Sequence, residues 1–502
     1  MTRSTAVRRA FSGTIVGAVL GAGGLLALPA GPELQAVVSY DGPARETAGV
    51  TVVGQLPALH MAVVRGKAQA LARLAHTPGV RGLEADNVVH LSSTSEKAGA
   101  ATTVLASAGL GGAAGSKNAG AGVRVALLDT GVADTAALNR KSGRLIDAAD
   151  ASTPGELHKG GVYTDGYGHG TFMASEIAGG VVPGTGGKAL GVAPAATILN
   201  VRVAKQDGTT SLSRVLGGLE WVYRSAADVD IANLALSHDR PRTAYGADPL
   251  TDAVELVQHA GVTVVVASGN ERGQLGDPGF DPRVLTVGAA NLGTKRVASF
   301  SGYGNVDGYD KPDVVASGVD VLGLLPKGSV IEKLPTTKRL PNGLFRGSGT
   351  SQATAVVSGL AAILLAAHPD ATPSQVKASL RCAARDLPGH HDGTGLVRTT
   401  AALCAGPDGQ ALDGSGDLTG EAQFKASSWA ASSWAASSWA ASSWAGSSWA
   451  ASSWASTTWT ASSWAGSSWA ASSWAGSSWA ASSWAASSWA ASSWAGKWGT
   501  AK

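Results

Sequence analysis

Between residues 116 and 405 the chain alternates two textures that few folds accommodate together. Val123-Arg124-Val125-Ala126-Leu127-Leu128, Thr197 to Val203 and Val262 to Val266 are β-branched and aliphatic runs. Ile231 to Leu236 and Val284 to Val287 are weaker examples. Helical segments lie between them at Leu212 to Ser225, Leu250 to Ala260, Ser351 to Ala367 and Pro373 to Ala384. Runs this apolar leave no face for water, and strands buried on both faces need helices on either side. The expectation is an α/β three-layer sandwich around a mainly parallel sheet, with ligands beyond the carboxyl ends of the strands.

Three other textures flank this region. Arg3, Arg8 and Arg9 precede the apolar, Gly-rich stretch Phe11 to Leu28, and Pro29-Ala30 supplies a small residue for cleavage. Residues 1–30 therefore predict a signal peptide and a secreted protein. Arg8-Arg9-Ala10-Phe11 also resembles a twin-arginine motif, which leaves the export route open, and an uncleaved anchor is the alternative. Residues 31–97 are patterned as a small α+β domain. A strand-like run covers Leu59 to Val64, a helix Lys67 to Ala75, a turn Thr77-Pro78-Gly79, and a further strand-like run ends near Val89. So small a segment makes a marginal core alone and needs a neighbour to dock on. Residues 406–425 read as a linker, and 426–502 as a low-complexity repeat.

Composition narrows the partners. A formal charge of +3 over 502 residues argues for no nucleic-acid surface. Cys382 and Cys404 have no metal-ligand spacing; their parity permits one disulfide, with two buried thiols as the alternative. Ala353 to Ala367 is broken by Ser358-Gly359 and too short to span a bilayer, so it reads as a buried helix.

The chemistry lies in four short segments at predicted element boundaries. Asp129-Thr130-Gly131 follows a strand, His169-Gly170-Thr171 precedes a helix at Phe172 to Ala178, Ala267-Ser268-Gly269-Asn270 ends a strand, and Gly349-Thr350-Ser351 opens the apolar helix. A serine hydroxyl needs a histidine base to attack at neutral pH, and that imidazole needs a carboxylate on its other nitrogen. A tetrahedral intermediate needs donors for its oxyanion, which the Ser351 amide and the Asn270 side chain can supply. Each segment alone is a common turn or cap; the four in this order are not.

Asp-Thr-Gly-Val, Gly-His-Gly-Thr, Ser-Gly-Asn-Glu and Gly-Thr-Ser-x-Ala-Thr resemble the signature segments of the subtilisin family, the subtilases. Gly191-Val192-Ala193-Pro194, Lys311-Pro312-Asp313-Val314-Val315-Ala316 and Gly393-Thr394-Gly395-Leu396-Val397 extend the likeness over roughly 116–405. The resemblance implies a self-processed serine endopeptidase with a catalytic triad of Asp129, His169 and Ser351 and with Asn270 in the oxyanion hole. It implies substrate binding as an added strand between Gly208-Thr209-Thr210 and Ala235-Leu236-Ser237. It implies no catalytic cofactor; structural calcium is common in the family, but no metal ligands are assignable. Residues 31–97 resemble the family's inhibitory propeptide, chiefly through Val80 to Asp86, with a permanently attached domain as the alternative and a cut anywhere from Ser92 to Ser116. Departures stand at Ser237, where glycine is usual, and at Phe172, Ser317, Gln352 and Ala355. None of them removes a group that performs chemistry. Polypeptides are the implied substrates, and a monomer is expected.

Beyond residue 425, Ser-Ser-Trp-Ala recurs with Ala or Gly fifth, so that fourteen tryptophans from Trp429 to Trp494 are spaced by five and Trp498 closes the series. That period suits neither an amphipathic helix nor one face of a strand. A solenoid, a flexible tail stacking its indoles on cell-wall polysaccharide, and a solvated spacer remain as readings, the second being preferred.

Overall fold

The computed structural model describes residues 32–41, 47–91, 113–183, 185–238, 248–306, 309–389 and 391–405, together with two paired three-residue strands in the repeat, Ala475–Ser477 and Ala480–Ser482. The expected signal peptide, the linker and the rest of the tryptophan repeat lie outside the described residues.

In chain order the elements are β1 (Leu34–Tyr40), β2 (Val50–Leu56), β3 (Met61–Gly66), α1 (Ala68–Ala75), β4 (Val80–Ala85) and β5 (Val88–Leu91). There follow β6 (Arg124–Asp129), β7 (Leu145–Asp150), α2 (His169–Ala178), β8 (Thr197–Arg202), β9 (Thr210–Ser211), α3 (Leu212–Arg224), β10 (Ile231–Leu234) and β11 (Leu236–Ser237). Then come α4 (Pro249–His259), β12 (Thr263–Ala267), β13 (Leu285–Asn291), β14 (Arg296–Val297), β15 (Gly304–Val306), β16 (Tyr309–Lys311), β17 (Val314–Ser317), β18 (Val321–Gly323), β19 (Phe345–Gly347), α5 (Thr350–Ala367) and α6 (Pro373–Cys382).

Seven strands form a parallel sheet in the order β7-β8-β6-β10-β12-β13-β17, and β14 adds antiparallel to β13. Alternation along β6 shows why the strands are so apolar. Val125 and Leu127 pack on one face with α2 and α5, while Ala126 and Leu128 pack on the other with α3 and α4. Both faces are thus covered, as the sequence predicts. Helix starts are fixed locally: Asp248 accepts from the amides of Leu250 and Thr251 ahead of α4, and Thr372 with Gln375 forms a capping box on α6. The α5 helix is long and apolar enough to cross a membrane, but it is 89% buried as the central helix of one layer. Cys382 and Cys404 are bridged, which settles the alternative left open by their parity.

Residues 34–85 form a separate antiparallel sheet, β2-β3-β1-β4, with α1 on one face. Its other face puts Val37, Met61 and Val63 into the α3–α4 layer, joined by Leu56 and Leu59. Leu59 is fully buried, and such burial is worth about 1.5–3 kcal/mol per large aliphatic side chain. The strand-like run expected at Leu59 to Val64 begins two residues later, because Pro57–Leu59 makes a 3-10 turn. The run expected to end near Val89 is two strands, β4 and β5, and they join different sheets.

One buried group has no place in this packing. Glu176, on α2, is fully buried, and neither carboxylate oxygen has a hydrogen-bond partner. Burial pushes its carboxyl well above the ordinary value. A carboxyl raised in the folded state contributes most below its unfolded value, about 4.5 or less, and that contribution is lost as pH climbs toward the folded one. Glu176→Gln removes this dependence. Its melting temperature, relative to the parent's, is expected to climb as pH rises above the ordinary carboxyl range of about 4.5 and to level off once the folded value is passed; a gap independent of pH in thermal melts would contradict the assignment.

Candidate active site

The parallel sheet brings Asp129, at the end of β6, beside the N-terminus of α2, where His169 is the first helical residue. His169 Nδ1 lies 2.8 Å from Asp129 Oδ1 and 2.9 Å from Oδ2, with both residues sealed from water. The fit depends on a missing side chain. A Cβ on Gly170 would lie 2.2 Å from the Gly131 carbonyl oxygen, so only glycine lets α2 approach the carboxylate this closely. On the imidazole, burial is the largest effect and disfavours the cation. The Asp129 charge and hydrogen bond, with Asp165 adding at longer range, outweigh it and raise the pKa above its ordinary value.

Asp165 escaped the sequence reading. Its Oδ1 accepts from Thr130 Oγ1 (2.8 Å), Tyr167 N (3.1 Å) and Gly168 N (2.7 Å), and its Oδ2 from Thr171 N (2.9 Å) and Thr171 Oγ1 (2.7 Å). Thr130 Oγ1 in turn accepts from Gly170 N at 2.9 Å. This buried carboxylate ties the segment after Asp129 to the segment around His169. Its only signal in the sequence is an acid four residues before the histidine, in a Gly-rich approach.

Ser351 is the second residue of α5 and fully buried. Its Oγ donates to the Ala235 carbonyl at 2.9 Å, while His169 Nε2 is buried with no hydrogen-bond partner. The serine–histidine link is therefore not made in this conformation: the hydroxyl is engaged by the Ala235 carbonyl and the ring nitrogen is left without a partner. Asn270 Oδ1 accepts from Thr350 N (2.9 Å) and Thr350 Oγ1 (3.0 Å). The backbone donor fixes which end of the amide is oxygen, so Nδ2 is the end left buried without a partner. The helix-terminal amide of Ser351 is a neighbouring donor. Among the described residues no three His, Cys, Asp or Glu side chains converge as a metal site.

The six residues expected to bind substrate divide. Thr210 in β9 and Leu236 and Ser237 in β11 flank a strand, and that strand is β5 of the N-terminal segment, paired antiparallel to both. Val89 faces Thr210, His90 faces Ser237 and Leu91 faces Leu236. Ala235 supplies the carbonyl that holds Ser351 Oγ. Gly208 and Thr209 are not paired to β5. Gly208 is packed under Tyr167, whose ring lies 2.5 Å from where a Cβ would be, and Thr209 is bound to Asp207. The side chain of Ser237, unusual for the family, turns to Gly276, where an added Cβ would come within 2.6 Å of the Ser237 Cβ. Phe172 is buried against Gly323 and Gly347.

A family model described as "Subtilase family" matches residues 120–399. Serine protease AprX of Bacillus subtilis is 36% identical over 278 residues, 52% of this chain and 61% of that protein. Subtilisin Savinase of Lederbergia lenta is 34% identical over 285 residues, covering 56% of this chain and 91% of that protein. Among solved structures, fervidolysin from Fervidobacterium pennivorans, described as a keratinolytic enzyme related to subtilisin, aligns with a TM-score of 0.56 and 25% identity, over 74% of this chain and 61% of that one. The chain thus spans about three fifths of the length of the first curated relative it matches.

If His169 acts as a base, only its uncharged form accepts a proton, so activity should fall on acidification with a midpoint above 6.5. Asp165→Asn removes a negative charge and two acceptor positions. It is expected to lower kcat by up to about 10²-fold through misplacement of the histidine. It should also move the acid limb of the pH–rate profile to lower pH. A purely structural role would lower the amount of folded protein without moving the limb.

Proposed function

Because this chain belongs to the subtilase family, we propose that it is a serine endopeptidase that hydrolyses peptide bonds in proteins through an acyl-enzyme on Ser351. The observation that carries the reading is a pair of unspent buried atoms. His169 Nε2 and Asn270 Nδ2 are both oriented by bonds on their opposite ends and both lack a partner. These are the two atoms the reaction calls on: one to take the serine proton, the other to receive the oxyanion.

Asp129 fixes the tautomer that leaves Nε2 as acceptor, and its charge stabilises the imidazolium once formed. The Ser351 hydroxyl leaves the Ala235 carbonyl by rotating about χ1 among staggered positions. An incoming main-chain N–H favours that exchange, because a strand lying beside β11 would offer its amide to Ala235 O. Ser351 Oγ then attacks the scissile carbonyl as His169 takes its proton. The oxyanion is held by Ser351 N and Asn270 Nδ2, and His169 returns the proton to the departing amine. Water, activated by the same base, releases the acyl group. Loss of an oxyanion asparagine costs about 10²–10³ in turnover, a figure that belongs to the subtilisin in which it is known.

Residues 31–97 act in this reading as an inhibitory propeptide. β5 fills the place of a substrate strand, and two reciprocal caps hold the domain down. Asp86 accepts from Ser213 N (2.7 Å) and Ser213 Oγ (2.7 Å) at the start of α3, whose own N-cap residue makes no side-chain capping bond. Glu220 of α3 accepts from Ala58 N (3.2 Å) and Leu59 N (3.1 Å) of the small domain. The export signal and the tryptophan repeat complete the reading as a secreted enzyme held near wall polysaccharide.

The register gives a sharp test. Leu91 opposite Leu236 and His90 opposite Ser237, counted one step on, lead to Ala235 and the Ser351 hydroxyl. The first cut is expected at the Ser92–Ser93 bond. N-terminal sequencing of the processed protein should therefore begin at Ser93 or at a trimmed site beyond it, and Ser351→Ala should accumulate uncut precursor. Unchanged processing of Ser351→Ala would remove self-cleavage from the account.

A further inference from the structure

The chain carries a formal charge of only +3, yet residues 327–346 alone hold Lys327, Lys333, Lys338, Arg339 and Arg346 against one acid, Glu332. All five cations are exposed. Among the described residues Lys327, Lys333 and Lys338 have no carboxylate partner, and Arg346 reaches only Asp320 at 3.7 Å. Arg339 lies over the Phe345 ring. Four of these residues belong to the long connection between β18 and β19 and Arg346 to β19 itself, so the charge is concentrated on one loop and its return strand.

The loop is anchored at the site. Val330 N donates to Gly166 O (2.9 Å) and Ile331 N to Tyr167 O (3.0 Å), two or three residues before His169. Leu325 and Ser329 crowd the Cβ position of Gly168. The loop returns through β19, which runs directly into Ser348-Gly349-Thr350-Ser351. It therefore bridges the histidine and serine segments, and its backbone makes no hydrogen bond to β9 or β11. Those two strands are taken by β5, which runs from Val88 to Leu91 toward Ala235 and Ser351. A polypeptide following that direction uses β9 and β11 before the scissile bond. Beyond it, the chain would leave along the side bounded by the His169 and Ser351 segments, which the loop joins.

We propose that this loop is a substrate-selecting surface for the departing side of the cut, favouring polypeptides with Asp or Glu among the first several residues after the scissile bond. The proposal rests on the endopeptidase reading and adds a preference to it. Exposed charge pairs are individually weak and screened by salt, so the effect comes from several cations acting on several acids and fades with ionic strength.

The test uses the full-length chain after processing and internally quenched peptides. They share one sequence before the scissile bond and carry Glu-rich, Ser-rich or Lys-rich sequence after it. At low salt kcat/KM should rank Glu above Ser above Lys, with Glu over Ser about three- to tenfold, and the spread should collapse at about 1 M salt, where the screening length falls to about 3 Å. The variant Lys333→Gln, Lys338→Gln, Arg339→Gln should bring the Glu-rich peptide down toward the Ser-rich one. Equal kcat/KM for all three peptides at low salt, or a preference unaffected by salt, would overturn the proposal while leaving the peptidase reading intact. Failure to cut any peptide would instead count against that reading. The salt series on the parent chain decides the matter even if the variant folds poorly.

Discussion

A charged carboxylate with no access to water must be answered by donors, and at Asp129 that demand organises the surrounding structure. Asp129 Oδ1 accepts from Thr130 N at 2.7 Å, and both oxygens face His169 Nδ1. Breaking such a buried pair by removing one partner typically costs about 3–5 kcal/mol, because the other charge is left uncompensated. The glycine at 170, the Thr130 hydroxyl and the five-donor shell of Asp165 all keep the ring from drifting. What stays uncommitted is the far side of that ring. The packing is satisfied up to His169 Nε2, which alone on that ring has no partner.

The N-terminal domain answers a different deficit. Helix α3 begins without a side-chain cap of its own, and without β5 the facing edges of β9 and β11 would be unpaired. Asp86 supplies the first and β5 the second, while Glu220 repays the small domain by capping its 3-10 turn. Docking of a 60-residue segment with a marginal core thus stabilises both partners. In the proposed reading it also lays a peptide strand where a substrate would bind.

Much of this was legible in the sequence, for reasons that differ by element. The central strands are apolar on both faces because helices cover both, so β6, β8 and β12 stand out as runs, and the chemistry-bearing residues at their ends stand out with them. β7 and β17 do not. β7 spends Asp147 and Asp150 on ion pairs with Arg140 and Arg202, which dilutes its strand pattern. β1 and β2 lie in a stretch with few large apolar residues, so neither stands out as a run. The division of Val80 to Leu91 into two strands was invisible, because Asp86 and Asn87 look like any polar turn; only tertiary structure reveals that the chain there crosses from one sheet to another. Ser237 stands where glycine is usual in the family, and its side chain turns into space left by Gly276. Asp165 could not be singled out, because a lone acid in a Gly-rich loop has no periodicity. The displaced Ser351 hydroxyl is a rotamer choice, and no sequence pattern reports rotamers.

Labelling with a fluorophosphonate, mapped by mass spectrometry on the processed chain, interrogates the central claim most directly, since the reagent modifies only a serine whose proton a neighbouring base can take. The account predicts a single modified residue, Ser351, with the labelling rate collapsing in His169→Ala and Asp129→Asn. A folded, processed protein that takes no label, or takes it at another serine, would contradict it.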